Sequence, residues 1–161
     1  MKITVHNMPV LKPLPIKTKG TGSFWSKLAT WACEIRKWRL YEDWSFYIKE
    51  DGGAEHLIVI PADFIFDGAS VPRPFWSALS PTGLLFMPGL IHDYGYRYDQ
   101  LLEIQANGKT KPYKSRAGKE FWDALFMQAG EDINGFSLVS RIAWLGVALG
   151  GGSAWDSHRR K

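Results

Sequence analysis

A chain of 161 residues, 45% hydrophobic and 22% charged, has the length and composition of one globular domain with one core, and is too apolar for intrinsic disorder. Much of the formal charge of +4 sits at the ends, in Lys12, Lys17 and Lys19 and in Arg159-Arg160-Lys161; no groove-reading motif accompanies it, so specific nucleic-acid binding is not expected. Cys33 is the only cysteine, which excludes an intrachain disulfide and a multi-cysteine zinc site and fits a reducing compartment.

Residues 1–6 lack the apolar stretch of a signal peptide. The longest apolar run, Ile142 to Trp155, holds four glycines and is too short to span a bilayer, so no transmembrane segment is expected. Residues 3–10 read as a first strand. Residues 11–23, headed by Leu11-Lys12-Pro13-Leu14-Pro15, read as a Pro/Lys arm, because proline removes a backbone donor. Ser23 then resembles an N-cap. Phe24, Leu28, Trp31, Ile35 and Trp38 recur at helical spacing and mark a helix lying on the core, a partner or a membrane surface.

From Trp44 the period becomes two: Trp44, Phe46 and Ile48 alternate with Ser45, Tyr47 and Lys49, as in a half-buried strand. Asp51-Gly52-Gly53 signals a turn, His56–Ile60 a second strand, and Phe64-Ile65-Phe66 an extended approach to Asp67. Pro72 and Pro74 open a short turn or helix through Ala78. Pro88 suits the first turn of a helix over Gly89–Leu102, and Asn107-Gly108 closes a polar loop. Ser115 can cap a helix through Ala129, with Phe121, Leu125 and Gln128 on one side. Phe136–Leu149 forms the last helix, stopped by Gly150-Gly151-Gly152. The expected class is α+β, an N-terminal antiparallel hairpin or small sheet followed by three to four helices, in a single domain over 1–161.

Two segments can carry chemistry. In the first, an apolar strand runs into Asp67-Gly68-Ala69-Ser70, a turn able to hold a carboxylate, a hydroxyl and exposed amides together, or simply to cap the next helix. The second is the dipeptide His92-Asp93 inside an apolar helix. His92 can act as general base or metal ligand, with Asp93 orienting it or sharing the ion; the alternative is a buried structural pair. Adjacent side chains on a helix diverge by roughly 100°, so the two must face different neighbours.

The pattern Ile-Pro-x-x-Phe-x-Phe-Asp-Gly-Ala-Ser-Val-Pro-Arg over residues 60–73, followed by His-Asp-Tyr-x-Tyr over 92–96, resembles the domain of unknown function 1353 family, which is common in tailed phages and prophages. The likeness covers roughly residues 44–155. It leaves 1–43 (strand, arm and Trp-bearing helix) as an elaboration and 156–161 as a basic tail. It implies a phage or prophage origin and a shared site at Asp67, Ser70, Pro72, Arg73, His92, Asp93 and Tyr96. It also leads one to expect an acid early in the helix after the His-Asp segment, where this chain has Ala117-Gly118, with Glu120 two residues on.

Two functions follow as expectations. One is a virion- or tail-associated structural or assembly protein, made in the host cytoplasm, whose partners are other phage structural proteins or further copies of itself. The other is a small hydrolase acting on a cell-envelope polymer such as peptidoglycan. There Asp67, Ser70, His92 and Asp93 would be catalytic, Arg73 and Tyr96 would bind substrate, and a divalent metal on His92, Asp93 and Asp67 is a possible cofactor.

Overall fold

The computed structural model describes residues 1–15, 22–25, 37–67 and 83–159. The α+β expectation holds: among these residues are eight strands in two antiparallel sheets, followed by four helices, with one hairpin inserted between the first and second helix. Strands β1 (Lys2–Thr4), β4 (Trp44–Lys49), β5 (Glu55–Ile60), β7 (Leu101–Ile104) and β8 (Thr110–Tyr113) form a five-stranded sheet in the order β1-β4-β5-β7-β8. Strands β2 (Leu11–Pro13), β3 (Trp38–Leu40) and β6 (Ile65–Phe66) form a three-stranded sheet in the order β2-β3-β6. The helices are α1 (Phe86–Tyr98), α2 (Lys119–Asn134), α3 (Ser137–Gly150) and α4 (Gly152–Arg159).

The period-two pattern of β4 has its expected consequence. Trp44, Phe46 and Ile48 are buried, and the hairpin with β5 pairs Trp44 with Ile60 and Lys49 with Glu55. These residues meet Leu90 and Ile91 of α1 and Trp122 and Leu125 of α2 in the main core. Gly95 of α1 lies so close to the Trp122 ring that any β-carbon there would overlap it, which lets α1 and α2 approach closely.

Several boundaries differ from the sequence expectation. The first strand covers only Lys2–Thr4, and the Pro/Lys segment contributes β2, whose Pro13 sits on a sheet edge where no donor is needed. Trp38 belongs to β3, paired with Phe66, and not to a helix; the remainder of the helical pattern, residues 26–36, lies outside the described residues, as does the turn expected over 72–78. The helix of the His-Asp segment ends at Tyr98. Residues 101–113 form the β7–β8 hairpin instead of helix and loop.

Ser115 does not cap α2; Gly118 occupies that position, and Ser115 donates to Gln100 instead. The residues 156–159 read as tail are the end of α4, and Arg159 donates to the Tyr96 carbonyl at 2.8 Å. Among the described residues no helix is long and apolar enough to cross a membrane.

Asp99 closes the excursion between α1 and α2. It sits in the left-handed region at φ 51°, where its N–H donates to the Gly95 carbonyl. Its Oδ1 accepts from the Gly118 N–H at 3.0 Å and from the Trp122 Nε1–H at 2.8 Å.

Candidate functional site

α1 carries His92, Asp93 and Tyr96, and the divergence of neighbouring helical side chains divides their roles. His92 turns toward α2, where its Nε2 lies 3.0 Å from Asp123 Oδ1. The Asp123 carboxylate also accepts from the Tyr96 hydroxyl at 2.7 Å and from Lys119 Nζ, one helical turn earlier on α2. Lys119 donates in addition to the Ala148 carbonyl at 3.0 Å, in the last turn of α3, where a cation complements the helix dipole. The His92 and Tyr96 rings are 4.1 Å apart, and Phe126 packs against the imidazole. Gly151 lies so near the Tyr96 hydroxyl that no β-carbon fits, and Trp155 of α4 covers that ring edge-on. His92 is 6% exposed and Asp123 3%.

Asp93, the next residue on α1, has Asp67, just past the end of β6, as a neighbouring charge. Asp93 Oδ1 lies 3.9 Å from His92 Nδ1. About 24% of the Asp93 side chain is exposed, yet its Oδ2 is sealed from solvent and has no hydrogen-bond partner among the described residues.

These surroundings set the charges. Burial pushes Asp93 up, His92 pulls it back, and the neighbouring Asp67 carboxylate pushes it further, to about 7. Burial alone would lower His92, but hydrogen bonds and charge from Asp123 and Asp93 outweigh it, so its pKa stands above the ordinary value. Burial alone would raise Asp123; hydrogen bonds from His92, Lys119 and Tyr96 outweigh that and hold it ionised below the usual carboxylate range. An ionised Asp123 can only accept, so Nε2 carries the proton of their hydrogen bond. Burial, then donation to Asp123, raises Tyr96 far above an ordinary phenol, and it stays neutral.

Of the residues singled out in the sequence, Asp67, Asp93, His92 and Tyr96 therefore form one connected group, with the Tyr96 hydroxyl spent on Asp123. Ser70, Pro72 and Arg73 lie outside the described residues. Among the described residues, no group of three or more His, Cys, Asp or Glu is placed to hold a metal ion.

Sequence reasoning missed Asp123 and Lys119. No acid stands at Ala117-Gly118; the carboxylate that meets His92 is Asp123, one turn into α2. The available signal was a lone Asp between Trp122 and Leu125 on the apolar side, with a Lys four residues before it. It was obscured because the stripe Phe121, Leu125 and Gln128 left out Trp122 and Phe126, which the structure buries together with Leu125.

A family profile described as "Protein of unknown function (DUF1353)" matches residues 38–147, more than half of the chain. The match begins at β3, earlier than the Trp44 boundary expected, and ends within α3, short of Trp155. No curated protein and no solved structure matches the chain.

Proposed function

We propose, for a chain that belongs to the DUF1353 family of proteins of unknown function, a role as a virion- or tail-associated structural or assembly protein of a phage or prophage. The His92 network then serves as an internal fastener. The observation supporting this best is that His92 is buried between two acids, with its Nε2–H given to Asp123 and its Nδ1 turned to Asp93, so both ring nitrogens face protein groups. A buried, mutually satisfied charge network rewards one arrangement of α1, α2 and α3 over others, which suits a subunit whose surface must keep its shape. The phage setting rests on the resemblance carried by residues 60–73 and 92–96.

The test is direct. Particles induced from the phage or prophage that encodes the chain are purified, and the chain is quantified in them by mass spectrometry. A fixed copy number per particle, or a place in a defined assembly intermediate, is the expected result. Recovery only as free protein in the lysate would sink the proposal.

One observation favours a hydrolase instead, the Asp67–Asp93 pair. With a pKa pushed to about 7, Asp93 keeps a proton in the neutral range, as a general acid must. His92 would then position Asp93 and not take the proton of the attacking water itself. A cell-envelope polymer such as peptidoglycan is the proposed substrate class. Release of soluble fragments from purified sacculi by the wild-type chain, lost in Asp93→Asn, would establish this reading in place of the first.

A further inference from the structure

α3 is apolar on two opposite sides. Val139, Ala143, Trp144 and Val147 face inward onto Leu85 and Phe126, while Leu138, Ile142 and Leu145 face outward and are 63%, 50% and 50% exposed. A helix apolar all round belongs in an interior, yet among the described residues nothing covers the outer stripe. Phe136 at the helix start is also half exposed. Leu84 is 49% exposed, and its carbonyl accepts from Asn134 at the α2–α3 corner.

Three features of this face select its occupant. The outward residues are spaced by four and then three, the spacing of a seam that receives another helix. Gly146 lies on the same exposed side with open space before it, so a second backbone can come close. The third feature is charge. Arg141 is the only charged residue in Ser137–Gly150, whereas helices that bind anionic membranes are rich in Lys and Arg. Arg141 stands at the midpoint of the stripe, 3.6 Å from Glu131 of α2 and itself well exposed. A two-fold axis through that midpoint brings the Arg141–Glu131 pair against its own image, so each guanidinium gains a second carboxylate.

We propose that this face is the contact between two copies of the chain, packed α3 against α3 in antiparallel, isologous fashion. The inference depends on neither reading of the His92 site. The stripe is short compared with the roughly 800 Å² per partner of a stable interface, so the dimer is concentration-dependent rather than obligate.

Sedimentation equilibrium of the full chain over a broad concentration range tests it. The expected result is a monomer–dimer equilibrium weakened at least about tenfold by Ile142→Glu, at unchanged melting temperature of the dilute monomer. Arg141→Glu, which places four acids around the axis, should weaken the dimer too, and adding Glu131→Arg to it should restore association. A monomer at every concentration up to about 1 mM, a dissociation constant already at the weak end of specific binding, overturns the proposal. So does a dimer indifferent to Ile142→Glu. Binding to neutral phosphatidylcholine vesicles that Ile142→Glu abolishes would assign the face to lipid and likewise overturn it.

Discussion

Asp93 and Asp123 stand on opposite sides of one imidazole: Asp123 lies 3.0 Å from His92 Nε2, and Asp93 lies 3.9 Å from Nδ1. The two acids are driven apart in pKa by their surroundings, Asp123 downward by three donors and Asp93 upward by burial and a neighbouring carboxylate.

The hub of the network is therefore Asp123 and not His92. Asp123→Ala strips buried His92 of its hydrogen-bonded acid and half-buried Lys119 of its counter-charge, and should cost about 3–5 kcal/mol of unfolding free energy. His92→Ala leaves Asp123 its bonds from Lys119 and Tyr96 and should cost about 1–3 kcal/mol. Urea denaturation of both variants checks the ranking; equal losses, or a larger loss for His92→Ala, would count against Asp123 as the hub.

Stability should fall as pH rises from mildly acidic to mildly alkaline. Asp93 is raised from 3.8 to about 7, so the folded chain holds a proton that the unfolded chain releases. Its contribution is complete below 3.8 and is lost as pH passes about 7. His92 has the same sign: its contribution is complete below its unfolded value and lost as pH rises through the raised folded one. Asp123 acts oppositely and loses its contribution only in acid, as pH falls through its lowered value. Urea midpoints measured between about pH 4.5 and 8 should decline, by at most about 4 kcal/mol in free energy, and Asp93→Asn should flatten most of the decline below pH 7. An unchanged slope in Asp93→Asn would remove the Asp67–Asp93 pair from the explanation.

Gly95→Ala should destabilise the chain by about 1–3 kcal/mol, because the new methyl enters the Trp122 ring. A Gly-to-Ala change in an open helix would stabilise it instead, so the sign of the change in melting temperature is the diagnostic.

Deleting residues 1–5 should lower stability by about 2–4 kcal/mol, because Ile3 is a buried core residue and its N–H donates to Asp132 of α2 at 2.6 Å. A truncated chain that melts with the wild type would show β1 to be dispensable.

The sequence disclosed what local periodicity records. The β4–β5 hairpin could be read from alternation and a Gly-Gly turn, and the helical character of residues 89–98 from its apolar run. The β7–β8 hairpin is obscured because Pro112 and a lysine-rich edge weaken the strand signal, although Asn107-Gly108 is a hairpin turn signal. At the site, Asp67 and the His92-Asp93 dipeptide were conspicuous as polar points in apolar segments. Asp123 and Lys119 lie 31 and 27 positions from His92 in the numbering and become its neighbours only through the packing of α2 on α1.

The Asp99 carboxylate, by holding both Gly118 and Trp122, makes residues 99 to 118 a loop closed at its base. The far end is the turn at Asn107-Gly108, where exposed residues bond only to one another. Because the entropy of a closed loop grows slowly, by about 0.6 kcal/mol per doubling of length, extra residues spliced in at that tip leave the spacing of α1 and α2 unchanged. The chain thus has a place to accept an epitope tag or a longer hairpin without moving His92 relative to Asp123.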